Sequence, residues 1–227
     1  MEKERQKILK ELDDGIHWDA DNRREFLDLF PRALRDHVAG EPFFEVIANH
    51  LADKLRESQS GHRAEFIRCL CGPIDHAVCL KAFEHTMFAA RESFEPYRTG
   101  QKMDTSSRYI LTWGLNVALT YCHEKIRPAL NLAKKNGWLD VKGLCLLKDL
   151  SSRTFFTARN ALAHWNFDLE TIRGSIRLYS KCDNDKLQFD YIEWSYLRML
   201  AARHICTSSG LALHLAVEEA VEQLSRS

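Results

Sequence analysis

Proline and glycine are scarce in this chain, 5 and 10 in 227 residues. A sandwich or barrel of many short strands needs more turn residues than that, so the shortage points to long helices. Net charge is missing too, with 32 Lys plus Arg set against 32 Asp plus Glu. That excludes nucleic-acid binding driven by bulk positive charge and leaves room only for a local basic site. No apolar run is long enough to span a bilayer, and the longest near-apolar window, Tyr109 to Cys122, reads as a buried helix. The opening MEKERQKILKELDD is charged and has no apolar signal core. Seven cysteines are an odd count in a chain large enough to fold without staples. These absences make a cytoplasmic protein with reduced thiols and no membrane partner the expectation. What is present, 45% hydrophobic and 28% charged residues, suits one large domain, or one domain carrying a helical extension.

Hydrophobic spacing along the chain predicts helix after helix. Residues 2 to 13 form a short amphipathic segment around Ile8, Leu9 and Leu12. A second helix, capped by Asp19-Ala-Asp-Asn, runs to Val38 and is bent or split at Pro31. After Gly40, Pro42 opens a helix with Phe43, Val46, Ile47, Leu51 and Leu55 inward. Gln59-Ser-Gly-His reads as a linker. A short helix then ends at Cys71, and a longer one follows the Gly72-Pro73 break as far as about Phe94. Glu95-Pro-Tyr-Arg-Thr-Gly is a loop. A long helical run spans Asp104 to Asn136, with Pro128 as a possible kink and Gly137 as its stop. One further helix is expected from Val141 to Phe167. There the period changes to two: residues 175–180 and 187–192 alternate around Asp183-Asn-Asp and read as a β-hairpin. A final helix from Glu193 to Leu224 closes the chain. The expected organisation is an N-terminal helical part over residues 1–100, either separate from the bundle or continuous with it, and a helical domain over 101–227 with a hairpin at 175–192.

Arg153 to Phe167 reads RTFFTARNALAHWNF. On a helical wheel Arg153, Thr157, Asn160 and His164 fall within about 60° of one another. Thr154, Ala158, Ala161 and Trp165 make an apolar stripe on one flank, and Phe156, Ala163 and Phe167 make another. A polar strip walled by apolar ones suggests a polar seam at a helix or subunit contact. The flanking position assigns Trp165 and Phe167 to the core, with stacking on bases as the alternative. The competing reading makes Arg159 and Asn160 surface residues and His164 a hydrogen-bonded core histidine.

Arg159-Asn160-Ala161-Leu162-Ala163-His164 resembles the RNxxxH motif of the HEPN superfamily, and the resemblance covers about residues 104 to 224. It implies an all-α HEPN-like helical bundle, here with an added N-terminal helical part and a small β-hairpin before the last helix. It also implies a metal-independent endoribonuclease of the toxin or phage-defence kind. Such an enzyme cleaves tRNA or mRNA by attack of the ribose 2′-hydroxyl, leaving a 2′,3′-cyclic phosphate. By this resemblance His164 is the general acid/base, Arg159 the phosphate clamp, and Asn160 orients the imidazole or the phosphate. Arg153 and Thr157, on the same face, are substrate-binding candidates. The chemistry suits those residue types: imidazole exchanges protons near neutral pH, and a guanidinium is a permanent forked donor for phosphoryl oxygens. No cofactor or metal is implied. The partners implied are RNA, a second copy of the chain, and an antitoxin such as a minimal nucleotidyltransferase. Five residues of ideal helix put Arg159 about 140° from His164, so the pair needs a long reach, a distorted helix, or two chains. One motif histidine per chain, where acid and base are both wanted, favours a homodimer. The alternative is a non-catalytic HEPN module that binds a nucleotide, RNA or protein.

Two further constellations carry weaker readings. Cys69, Cys71, His76 and Cys79 form C-x-C-x4-H-x2-C, a possible zinc set. The one-residue gap at an apparent helix end is unlike the usual tight C-x2-C turn, so buried free cysteines with an incidental histidine are preferred. Gly174-Ser175 with Asp183 and Asp185 resembles the glycine-serine and paired-aspartate motif of minimal nucleotidyltransferases, against the simpler reading of a hairpin loop. His123-Glu124 does not continue into a zincin motif, because residue 127 is Arg.

Overall fold

The computed structural model describes Leu29 and residues 42–93, 104–170, 175–179 and 191–225. Apart from Leu29, the segment expected to be helical over residues 2 to 38, the loop at 95–100 and the Asp183-Asn-Asp turn lie outside these residues. Within them the chain is mostly helical, with one small antiparallel sheet before the last helix. The order is α1 (Phe43–Glu57), α2 (Ser60–Cys71), α3 (His76–Glu92) and α4 (Thr105–Tyr121). A π-helical turn (Cys122–Ile126) leads into α5 (Arg127–Lys135). Then come α6 (Val141–Leu150), α7 (Arg153–Ala163), β1 (Phe167–Glu170), β2 (Ser175–Tyr179), β3 (Tyr191–Ser195) and α8 (Tyr196–Leu224).

Helix α8 is the axis of the fold. Its 29 residues span about 44 Å, and most are buried on every side. A helix apolar or small all round belongs in the middle of a bundle. Small residues such as Ala202, Ser208, Ser209, Gly210, Ala212 and Ala216 let neighbours approach it closely. At Gly210 the Phe83 ring of α3 occupies the space a Cβ would take, 2.7 Å from its ideal position. Helix α1 lies along α8 and buries Phe43, Phe44, Ile47, Leu51 and Leu55. Deep in this packing sits His214 of α8, fully enclosed; burial, helped by the nearby His76, lowers its pKa to about 3, so the imidazole is neutral.

Local chemistry explains most boundaries. The side chains of Asp104, Asp140, Ser152 and Ser195 each accept a hydrogen bond from a backbone N–H three residues on, capping α4, α6, α7 and α8. The Ser152 cap corrects the single helix expected from Val141 to Phe167, which is two helices with a break at Ser151-Ser152. The expected linker at Gln59-Ser-Gly-His is shorter than read, since Ser60 already begins α2. Around Pro128 the long run widens into the π turn rather than ending. The Arg127 N–H bonds the Cys122 carbonyl, five residues back, and a proline one residue later has no N–H to continue the ordinary ladder. Gly137, at φ +70°, ends α5: its N–H bonds the Lys134 carbonyl and the Trp138 N–H bonds the Ala133 carbonyl. This is the Schellman arrangement, with glycine in the left-handed position.

The expected hairpin is present as β2 and β3, and β1 adds a third strand to the sheet. The sheet is a three-stranded meander, with Phe167 opposite Leu178 and Ile176 opposite Trp194. Phe167 begins β1 instead of ending a helix, and Glu193 and Trp194 belong to β3, so the last helix starts at Tyr196. Ile176, Leu178 and Trp194 face the core. No described helix is long and apolar enough to cross a membrane.

Candidate active site along the contact of α4 and α7

Helix α7 buries Phe155, Ala158, Ala161 and Leu162. The two apolar stripes read from the sequence are therefore corrected. Ala158 and Ala161 are core, but Thr154, Phe156, Ala163 and Trp165 are exposed, and Phe167 is a half-buried strand residue. The reason is where the helix stops. His164 is its C-cap, and Trp165 stands outside it at φ +59°. The Trp165 N–H bonds the Leu162 carbonyl and the Asn166 N–H bonds the Ala161 carbonyl. That is the same Schellman ending as at Gly137, with tryptophan in the position that favours glycine. Trp165 is 77% exposed, stacked on Phe167 with ring centroids 5.9 Å apart.

The polar face of the motif is at the surface. Arg153 and His164 are exposed, and Thr157, Arg159 and Asn160 are half-buried. Among the described residues the His164 side chain makes no hydrogen bond, ion pair or ring contact. The reading of His164 as a hydrogen-bonded core histidine is thereby excluded. The Arg159 guanidinium is held in place. Its Nη2 donates to Glu124 Oε1 at 2.7 Å and its Nη1 to Asn160 Oδ1 at 3.0 Å. Its Nε is buried with no partner among the described residues. Arg159 and Asn160 are thus brought together, whereas among the described residues no hydrogen bond or ion pair joins either side chain to that of His164, Arg153 or Thr157.

Sequence reasoning missed two contributors from the π turn. Glu124 supplies the carboxylate that pins Arg159. His123 lies 3.9 Å from that carboxylate, and its ring stands 5.7 Å from that of Phe156. Partial burial, then the charges of Arg127 and Arg159, lower the His123 pKa against the opposing pull of Glu124. The imidazole is therefore neutral at pH 7, as a proton acceptor must be. The signal available was spacing: Tyr109, Trp113, Asn116, Thr120 and His123 recur at helical intervals and line one face of α4 and its π continuation.

That face runs against α7 in the opposite direction. Near the α7 C-terminus, Tyr109, Ile110, Trp113, Leu162, Trp165 and Phe167 enclose an apolar groove of about 290 Å³. Near its middle, Arg159 meets Glu124, and Phe156 meets His123. From Tyr109 to His123 the face is about 20 Å long, aromatic at one end and carrying His123 and the Arg159–Glu124 pair at the other.

The weaker constellations fall out differently. Ser175 is buried in β2 and donates to Glu193 Oε1 across the sheet, so it serves strand pairing. Asp183 and Asp185 lie outside the described residues. Of the cysteine set, Cys71 and His76 come together with His214, while Cys69 is half-exposed and apart from them. The six described cysteines are all free thiols.

Comparison with protein-family models, with curated proteins and with solved structures found no match.

Proposed function

We propose that the chain is a metal-independent endoribonuclease of HEPN type, cutting RNA by 2′-hydroxyl attack in a cytoplasmic toxin or defence setting. The observation that carries this reading is the face along α4 and α7 that joins Arg159 and His123 to an aromatic groove, with His164 exposed at the end of α7. Single-stranded RNA is bound by stacking its bases on aromatic rings and seating its phosphates on cations, and the face offers both in line. Arg159 holds the scissile phosphate once that phosphate displaces Glu124 from the guanidinium. His164 and neutral His123 are then the two imidazoles from which an acid and a base are drawn. Asn160 keeps the guanidinium turned toward the face, and Arg153 and Thr157 extend the contact along α7. RNA is the substrate, a second copy of the chain meets this one across the exposed α7 face, and an antitoxin such as a minimal nucleotidyltransferase restrains it.

The test is to incubate purified protein with total RNA in EDTA, following the fold by circular dichroism. Products ending in 2′,3′-cyclic phosphate are expected. Cleavage that is absent in EDTA and restored by Mg²⁺, with the fold intact, overturns the mechanism. One observation favours the second reading, a HEPN module that binds without cutting: the Arg159 fork is already filled by Glu124 and Asn160. Glu124→Gln separates the two. For a nuclease, it frees the guanidinium and raises RNA affinity and turnover together; for a binding module, affinity alone rises.

Trp165 gives an independent check. A tryptophan in the left-handed region carries roughly 1 kcal/mol or more of backbone strain, which glycine relieves. Trp165→Gly is therefore expected to hold or raise the melting temperature while weakening RNA binding and cleavage. A loss of stability with unchanged cleavage would mean that the exposed ring serves the fold and not the substrate.

A further inference from the structure

The turn between α2 and α3 brings three metal-ligating side chains to one point against the middle of the bundle. Cys71 ends α2, His76 begins α3, and His214 comes from α8; one ligand atom from each lies within 4.8 Å of the others. Cys79, one turn into α3, is buried next to Cys71 but stands outside that set of three, so it completes a site only by turning its thiol inward. We infer that Cys71, Cys79, His76 and His214 form a tetrahedral site for Zn²⁺ that ties the α2–α3 turn to α8.

The spacing of the two imidazoles is the first argument. His214 Nδ1 stands 3.3 Å from His76 Nε2. Two nitrogens bound to one tetrahedral zinc at about 2.0 to 2.1 Å are separated by about 3.3 Å, the edge of the tetrahedron. The second argument is orientation. His214 Nε2 is held by the Tyr121 hydroxyl at 2.7 Å, which leaves Nδ1 directed at His76. A ligating histidine ordinarily has its other ring nitrogen tied in this way. Phe83 covers the assembly, its ring 5.1 Å from His214 and 4.9 Å from Tyr121. It fits there because residue 210 has no side chain.

Charge and donor type agree with the ion. Two thiolates and Zn²⁺ sum to zero, so the occupied site places no net charge in the interior. A sulfur and nitrogen donor set with tetrahedral spacing suits zinc better than magnesium or calcium, which take oxygen ligands. All four donors come from protein and the site is closed, so the role is structural. Cys69, the remaining member of the spaced motif, faces Lys125 and Glu65 and takes no part.

The test uses the whole wild-type chain. Metal analysis after gel filtration is expected to find one zinc per chain. Co²⁺-exchanged protein should show the intense visible bands of tetrahedral cobalt and a near-ultraviolet thiolate charge-transfer band. Tyr121→Phe, which leaves all four ligands in place, should weaken zinc affinity about 10- to 100-fold. Cys71→Ser and His214→Ala should abolish stoichiometric binding, and Cys69→Ser should not. A folded wild-type chain with little zinc and no tetrahedral cobalt spectrum overturns the site, whatever the variants do. So does a Cys71–Cys79 disulfide that persists when zinc is supplied.

Discussion

Alanine at position 164 is expected to reduce RNA cleavage by about 10²- to 10⁴-fold, the contribution typical of one general acid or base, while leaving thermal unfolding almost unchanged. The stability half follows from position: His164 caps the end of α7, is exposed, and has no side-chain partner among the described residues. Substitutions at such sites usually change stability by less than about 0.5 kcal/mol. The activity half follows from the proposed chemistry, in which His164 is the exposed imidazole of the motif helix. Dimers mixed from wild-type and His164→Ala chains then report on assembly. If two motifs complete one cleft, mixed dimers lose far more than half their activity. If His123 supplies the second imidazole within each chain, they retain about half. Full activity in the homogeneous His164→Ala protein would sink both versions.

How much of this was legible beforehand differs from residue to residue. Asp104, Gly137 and the alternating residues at 175–179 announced their elements, because a side-chain cap, a left-handed glycine and a period of two are local codes. Ser152 carried the same kind of code but was read through, since apolar spacing continues on both sides of it. That error carried Trp165 and Phe167 onto a helix and into the core. In fact the chain leaves the helix at Trp165, and Phe167 pairs with Leu178. The π turn had one local cause, Pro128, yet nothing in the sequence says whether a proline kinks, ends or widens a helix. Hence the sequence offers His123 and Glu124 only as a zincin motif that does not continue. His214 was invisible as a partner of His76 because 138 residues separate them, a distance over which only the packed core decides who meets whom. The motif itself was the opposite case. Asn160 and His164 share a face by helical spacing and Arg159 enters through the resemblance, but their exposure and the carboxylate facing Arg159 required the fold.

Removing the Arg159 guanidinium should have two separable effects, and their combination is diagnostic. The first is a loss of about 10²- to 10³-fold in turnover, the magnitude of deleting one donor to developing negative charge, about 2.7 to 4 kcal/mol. The second is a shift in pH dependence. His123 is held below its ordinary value of 6.5 by partial burial, by Arg127 and by Arg159, while Glu124 pulls the other way. A base with a lowered pKa stays deprotonated to lower pH, so the acid limb of kcat/KM in the wild-type protein is expected below pH 6.5. Arg159→Ala takes away one of the lowering charges and leaves Glu124 unpaired beside the imidazole, and both changes raise the His123 pKa. The acid limb should move up, toward or past 6.5. Glu124→Gln should move it down, because it removes the one charge that favours the imidazolium. The same sign governs stability: a histidine with a lowered folded pKa contributes fully above about pH 6.5 and progressively less as acid forces a proton onto it. His123→Gln should flatten the limb in every one of these backgrounds. An acid limb that stays put in both Arg159→Ala and Glu124→Gln, while the Arg159→Ala rate still falls, would assign the titration to a group remote from Arg159. It would leave Arg159 as a clamp without His123 as its base.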